Sequence, residues 1–277
     1  MNAFIPLPAL LAVAAIAGLD CTSVTADAEE ASAWSRDAHS AVRLLAGSRN
    51  GAVLLGGIEF ALQDGWKTYW RTPGDSGVPP RIDFAKSENV ESVTPLFPAP
   101  TKFSDGAGGV SYGYQKHLIL PLRIVPKSAD KPVTLRATID YAICERLCLP
   151  VDASLELGFA DAVSAMDSEL ATALGAVPKP AEIGTGSFGI SEVRRDGNRV
   201  VVDVLKPQSA HVELFVEGPA PSWSLPEPKP EEHAPPGLSR FAFDLEGLPP
   251  GAQAQGAALK FTLVGRDGAY EYNVNLN

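Results

Sequence analysis

The chain has 277 residues, of which 45% are apolar and 20% charged, values that are ordinary for a soluble globular protein of one or two domains. Its formal net charge of −10 argues against nucleic acid or an anionic membrane surface as a partner. Composition and charge do not identify the true partner, so the motifs have to indicate the function.

The N-terminus has the outline of a secretory signal peptide. Residues 3–19 form an apolar run, and Val24-Thr-Ala26 suits cleavage after Ala26, so we predict a signal peptide over residues 1–26 and an exported protein. Because no Lys or Arg precedes the run, a short membrane anchor is one alternative. Lipid attachment at Cys21 is another, although Asp20 stands where a small residue is expected. We expect no further membrane segment, since the rest of the chain has no long apolar stretch.

The first half of the chain is predicted to consist of strands separated by Gly and Pro turns. Residues 133–143 and 151–157 alternate apolar and polar residues, and shorter strand-like runs precede them. This pattern is typical of an antiparallel sandwich. We therefore predict one β domain over residues 38–160.

A helix and a linker separate this domain from a second β-rich unit. Apolar residues recur at helical spacing over residues 162–174, so residues 161–183 are predicted to be a helix followed by a linker. Residues 184–277 again contain strand runs with hairpin turn signals, and they are predicted to form a second sandwich domain. The Pro-rich stretch 219–236 within it is predicted to be an extended surface loop.

Cys144 and Cys148 are the cysteines that remain after signal cleavage, in an oxidising compartment. They flank the tip of the predicted hairpin and are expected to face each other across it, close enough for a disulfide. Closing so short a loop gives only about 2 kcal/mol in the chain-entropy model, so the bond stabilises little. A weakly stabilising, exposed bond is suited to being made and broken, whereas a simple hairpin clamp is the structural alternative.

Other chemistry is poorly supported. A metal site at the two cysteines would need further ligands, and the nearest histidine in the sequence is His117. Trp66, Tyr69 and Trp70 are expected in the core, and Asp75 is expected to serve a turn. Because no phosphate-binding loop, Ser/His/Asp set or carboxylate pair stands out, we predict no cofactor and no metal.

Three motifs together resemble the N-terminal periplasmic domain of the thiol:disulfide interchange protein DsbD and its ScsB-type relatives. They are Asp64 to Pro80, Tyr112-Gly-Tyr114 followed by residues 118–122, and Tyr141 to Pro150. The resemblance covers residues 38–160. It implies an immunoglobulin-like domain, and thus an all-β protein of two immunoglobulin-like β-sandwich domains joined by a short helix and linker.

The same resemblance implies a redox-active pair, Cys144 and Cys148, shielded by an aromatic cap loop that would hold Tyr112 and Tyr114. Such domains accept electrons from a thioredoxin-like domain and pass them to periplasmic proteins. The C-x₃-C spacing matches the ScsB-like branch rather than the longer interval of DsbD itself. The sequence has no multi-helix membrane region and no Trp-Cys-x-x-Cys motif, so we expect a separate thioredoxin-like or membrane thiol reductase to supply the electrons.

We therefore predict a periplasmic thiol–disulfide exchange protein that passes reducing equivalents to envelope disulfide proteins through Cys144 and Cys148. The alternative is a non-catalytic, protein-binding module of the envelope in which the disulfide is structural.

Overall fold

The computed structural model describes residues 1, 29–104, 108–159, 163–206 and 211–277. Nearly all of the predicted signal peptide, including Cys21, lies outside these residues. The described residues form nineteen strands and one helix, and no helix among them is long and apolar enough to span a membrane. The all-β fold predicted from the sequence is confirmed.

Two sheets make up the first half of the chain. They are formed by β1 (Ser35–Arg36), β2 (Ser40–Asn50), β3 (Val53–Leu62), β4 (Lys67–Gly74), β5 (Arg81–Asp83), β6 (Val90–Pro95), β7 (Thr101–Ser104), β8 (Val110–Gln115), β9 (His117–Pro126), β10 (Val133–Cys144) and β11 (Cys148–Phe159). One sheet has the order β1-β2-β3-β9-β6, and the other has the order β11-β10-β4-β8-β7 with β5 added on β10. Apolar side chains from both sheets form one continuous core, as expected for an immunoglobulin-like sandwich.

The β10–β11 hairpin follows the alternation read from the sequence. Leu135 and Ala137 are buried on β10, and their partners Leu157 and Leu155 are buried opposite them on β11. Residues between them point away from the core, because successive side chains of a strand lie on opposite faces. The pairing runs without interruption from Val133 opposite Phe159 to Cys144 opposite Cys148, which gives the hairpin one fixed register.

Helix α1 (Asp167–Gly175) covers the outer face of β2, β3 and β9. The sequence placed the helix at residues 162–174, and residues 160–162 lie outside the described part of the chain. The helix begins only at Asp167, whose carboxylate accepts hydrogen bonds from the backbone N–H and the hydroxyl of Ser48. Leu170 is buried between Leu45 and Ile119, whereas Leu174 is exposed, so the apolar face is narrower than the spacing suggested.

Eight further strands form two four-stranded sheets in the second half. They are β12 (Lys179–Pro180), β13 (Gly189–Asp196), β14 (Arg199–Leu205), β15 (Val212–Glu217), β16 (Lys229–Glu231), β17 (Leu238–Asp244), β18 (Ala258–Gly265) and β19 (Gly268–Asn275). Their orders are β12-β19-β18-β15 and β13-β14-β17-β16, around a second apolar core. Strand β12, which pairs in parallel with β19, lies inside the predicted linker, and β16 lies inside the predicted Pro-rich loop.

Candidate functional site

Cys144 and Cys148 are joined by a disulfide at the tip of the β10–β11 hairpin. Cys144 is the last residue of β10 and Cys148 is the first residue of β11, and the two are direct partners in the pairing, with Cα atoms 4.2 Å apart. The uninterrupted alternation along both strands produces this arrangement, because it brings the two cysteine side chains to the same face of the sheet. That face is the one turned away from the core.

The two cysteines differ in exposure. Cys144 is buried, with 8% of its surface exposed, whereas Cys148 and the three residues between the cysteines are exposed. Leu147 and Leu149 flank Cys148 and are 77% and 38% exposed. Cys148 is therefore the more accessible cysteine of the two, and two exposed apolar side chains flank it.

Tyr69 on β4 contacts the disulfide directly. Its hydroxyl lies 3.1 Å from the Sγ atom of Cys148, and it must be the donor because a disulfide sulfur carries no proton. The ring is buried together with Ala142 and Cys144 in a small cluster. Burial raises the pKa of the Tyr69 phenol, so the hydroxyl keeps its proton at neutral pH.

The pairing of β4 brings Tyr69 to the cysteines. Cys144 lies opposite Lys67, so by alternation Lys67 and Tyr69 share the face that carries the disulfide. On the other side of β4, Gly113 lies opposite Tyr69. A Cβ atom at position 113 would come within 2.0 Å of the Thr68 carbonyl oxygen, so this close approach of β8 to β4 requires glycine.

Lys67 on β4, opposite Cys144, places a cation beside the cysteine pair. The ammonium of Lys67 donates to the Ser111 hydroxyl at 3.0 Å and lies 5.3 Å from the centre of the Phe103 ring. Glu145 and Arg146 add charges of opposite sign within the hairpin tip. The disulfide thus lies in a mixed electrostatic environment.

Tyr112 and Tyr114 lie on β8 with their side chains in the core. Tyr112 packs edge-on against Phe215 at 4.8 Å, and the Tyr114 hydroxyl donates to the Pro98 carbonyl at 2.8 Å. Burial raises the pKa of both phenols. Because they flank Gly113, alternation puts them on the face opposite to Tyr69 and the cysteines, and their role as a cap over the pair stays a prediction.

Trp66, Trp70 and Asp75, which the sequence assigned to the core or to a turn, make packing and turn contacts. Trp70 is fully buried in the first core, and Trp66 stacks on His39 at 4.0 Å. The Asp75 carboxylate accepts the backbone N–H of Val110 at 3.0 Å, which is turn chemistry. Within the described part of the chain, no group of three or more His, Cys, Asp or Glu side chains is placed to hold a metal ion.

Tyr69 is a site residue that the sequence did not predict, because its ring was expected in the core. The local signal was ambiguous, since Tyr69 and Trp70 are adjacent apolar residues and alternation permits either one to face inward. The ambiguity is resolved by the pairing of β4 with β10, which places Lys67 opposite Cys144. The local sequence pattern does not indicate this pairing.

Comparisons with known proteins agree with this geometry. Residues 40–160 match the family model described as thiol:disulfide interchange protein DsbD, N-terminal. The fold is similar to the crystal structure of the N-terminal periplasmic domain of ScsB from Proteus mirabilis, with a TM-score of 0.72 at 21% identity over 90% of this chain and 98% of that one. A comparison with curated protein sequences gave no match. Residues 40–160 therefore form a thiol:disulfide interchange domain of the DsbD N-terminal family.

Proposed function

We propose that this protein passes reducing equivalents in the periplasm by thiol–disulfide exchange at Cys144 and Cys148. The observation that carries the proposal is the exposed Cys148 of a hairpin disulfide within a DsbD N-terminal-type domain. A bond that adds little stability and has one exposed cysteine is suited to exchange rather than to holding the fold together.

The exchange follows from the unequal exposure of the two sulfurs. A donor thiolate attacks Cys148, a new bond forms between the donor sulfur and Cys148, and the Cys144–Cys148 bond breaks with Cys144 leaving as a thiolate. A second thiolate of the donor then attacks the donor's own sulfur and releases Cys148. The donor has become a disulfide, the pair has gained two electrons, and two protons complete the dithiol. The reverse sequence reduces a substrate disulfide.

The donor that suits this site is a thioredoxin-like protein or a membrane thiol reductase, and the substrates are disulfide-bonded proteins of the envelope. Leu147 and Leu149 offer such partners apolar contact beside the reacting sulfur. A periplasmic location, reached through the signal peptide predicted at residues 1–26, supplies the oxidising setting that the chemistry requires.

We further propose that residues 38–160 and 184–277 are separate domains, with the exchange chemistry in the first. Two distinct apolar cores support this division.

A redox titration tests the proposal first. We expect the Cys144–Cys148 couple to equilibrate with glutathione, whereas a potential below about −300 mV marks a structural disulfide and contradicts exchange. That outcome would favour the alternative, a protein-binding module with a hairpin clamp.

Trapping identifies the partner and the reacting sulfur together. In Cys144→Ser, the exposed Cys148 thiol remains and the resolving thiol is lost, so mixed disulfides with envelope proteins should accumulate. Cys148→Ser is the matched control and should trap much less. Equal trapping by both variants, or none by either, would contradict the proposed exchange.

A further inference from the structure

The second half of the chain contributes to the core of the first. Phe215 on β15 has 1% of its surface exposed and belongs to the first apolar cluster. Its ring packs edge-on against Trp70 at 5.7 Å and Tyr112 at 4.8 Å, which lie on β4 and β8. The second sandwich therefore packs directly against the two strands that flank the disulfide face.

An ion-pair network joins the same strand to the second sandwich. The Arg71 guanidinium donates to Glu217 on β15 at 2.6 Å and to Glu271 on β19 at 2.5 Å. The Thr72 hydroxyl also donates to Glu217, at 2.8 Å. These groups are largely shielded from solvent. Burial lowers the pKa of Arg71, but the hydrogen bonds and charges of Glu217 and Glu271 outweigh it and raise the pKa, so the guanidinium stays charged.

Backbone pairing on β4 is weakest where these contacts occur. The β4–β8 register is regular up to Tyr69 opposite Gly113 and resumes only at Gly74 opposite Ser111. The β4–β10 pairing involves Lys67 and Thr68 and does not extend to Tyr69. The segment from Trp70 to Thr72 is thus fixed by its side-chain contacts with the second sandwich rather than by a continuous ladder.

We propose that the second sandwich positions Tyr69 on the disulfide, and that Arg71 is a positioning residue for the reactivity of Cys148. Tyr69 immediately precedes the segment that Phe215, Glu217 and Glu271 hold in place. If these contacts are lost, the end of β4 gains freedom and the Tyr69 hydroxyl no longer stays 3.1 Å from the Cys148 sulfur. The second sandwich thereby acquires a role in the chemistry of the first, which rests on the proposed exchange function only for its biological use.

The thiol pKa of Cys148 in the reduced protein measures this effect. A hydroxyl that donates to a thiolate stabilises the charged form and lowers its pKa. Tyr69→Phe should therefore raise the pKa of the Cys148 thiol by about one unit, the equivalent of one charge-assisted hydrogen bond. The pH dependence of alkylation in a Cys144→Ser background reports this pKa without any partner protein.

Glu217→Ala is the discriminating variant. It removes a negative charge, so a purely through-space effect would lower the Cys148 pKa, whereas loss of positioning raises it. We expect a rise of about half a unit in Glu217→Ala and in Arg71→Met, with no further rise when either change is added to Tyr69→Phe. Arg71→Lys, which keeps the charge but loses the forked geometry, should give an intermediate shift and is the milder substitution should Arg71→Met fold poorly.

Arg136→Met is the matched control. Arg136 also bridges two glutamates, Glu88 and Glu156, but it lies roughly 26 Å of extended strand away from Cys144. The charged groups around the pair, Lys67, Glu145 and Arg146, stay unchanged in all variants.

The inference is overturned if Glu217→Ala leaves the Cys148 pKa unchanged or lowers it, if Tyr69→Phe has no effect, or if the shifts are additive. Failure of the proposed exchange function would show differently, as the expected pKa shifts in a protein that traps no partner.

Discussion

Cys144 and Cys148 are direct partners in one hairpin, yet they have different neighbours. Cys144 ends a strand that has β4 on its other side, and it is buried in one cluster with Tyr69 and Ala142. Cys148 begins β11, which is the edge strand of this sheet in the described part of the chain, and Cys148 is exposed although its sulfur accepts the Tyr69 hydroxyl. The edge position of β11 thus makes Cys148 the more exposed cysteine, as the proposed exchange requires, and the cysteine spacing alone does not reveal this difference.

The asymmetry predicts the order of alkylation in the reduced protein. Cys148 should react with iodoacetamide at least about tenfold faster than Cys144, since burial hinders access and disfavours the thiolate. Peptide mapping after brief labelling measures this ratio, and urea-unfolded protein provides the control in which the two rates converge. Equal rates in the folded protein would contradict the assignment of Cys148 as the attacked sulfur.

Asp203 in the second sandwich is a buried carboxylate at the centre of an ion-pair network. Its side chain is only 3% exposed. It accepts hydrogen bonds from Arg240 at 2.7 and 2.9 Å and from Arg194 at 2.8 Å. The hydrogen bonds from Arg240 are the main reason why the pKa of Asp203 is lowered. Because the folded pKa is depressed, the resulting stability is present above about pH 4 and is lost as the pH falls through the folded pKa.

Asp203→Asn should therefore destabilise the protein in a pH-dependent manner. At pH 7 we expect a loss of about 3 kcal/mol in the free energy of unfolding, because one partner of a buried ion pair is removed. Below about pH 4 the difference from the unmodified protein should shrink, since Asp203 takes up a proton first in the unfolded state and, at still lower pH, in the folded state as well. Urea unfolding above and below this pH provides the measurement, and Asp244→Asn, at an exposed and weak ion pair, is the control. A difference that does not depend on pH would contradict the assignment.

At the scale of elements, glycine determines how closely β8 approaches β4. Gly113 lies against the Thr68 carbonyl, whereas Gly158 on β11 has no atom within 4 Å of an added Cβ. Both glycines lie in strands of the same sheet, so they form a matched pair that separates close packing from the general weakness of glycine in strands.

Gly113→Ala should destabilise the protein by about 2 kcal/mol or more, because the new methyl group forces β8 away from β4. Gly158→Ala should leave stability unchanged or raise it by up to about 1 kcal/mol, since alanine costs less conformational entropy than glycine. Chemical denaturation of both variants gives the comparison. Similar effects at the two positions would show that the approach of β8 to β4 is not constrained by glycine.

The sequence pattern predicted the pairing of strands that are neighbours along the chain. The strict alternation of residues 133–143 and 151–157 predicted the β10–β11 hairpin and the pairing of Cys144 with Cys148, both of which are confirmed. The contact of Tyr69 with Cys148 depends on β4 lying beside β10, a pairing between segments far apart in sequence. Alternation within β4 does not encode that pairing, so the sequence could place the cysteines but not the side chain that touches them.

At the scale of the whole molecule, the two cores are linked by one aromatic side chain. Phe215 belongs by sequence to the second half and by packing to the first, which the predicted division at residues 161–183 did not anticipate. Its neighbours on β15, Leu214 and Val216, pack in the second core, so β15 serves both. Alternation explains this sharing, because the two faces of one strand meet different cores.

Phe215→Ala should uncouple the two halves. We expect a loss of about 3–5 kcal/mol, from the cavity that forms beside Trp70 and Tyr112. Calorimetry should show one transition for the unmodified protein and two for the variant. Phe243→Ala, which removes a phenylalanine from the second core alone, should lower stability while keeping a single transition. One transition in Phe215→Ala would contradict coupling through this residue.

The β10–β11 hairpin is held by an uninterrupted ladder of residue pairs that continues from the cysteines to Val133 and Phe159. This backbone pairing holds the two strands together without the disulfide. The oxidised and reduced forms should therefore have nearly the same shape. A crystal of one form should then tolerate conversion to the other, with changes confined to the two sulfurs and the Tyr69 hydroxyl. A partner in the proposed exchange would then have to distinguish the disulfide from the dithiol at the sulfur atoms themselves, because the surrounding surface should be the same in both forms.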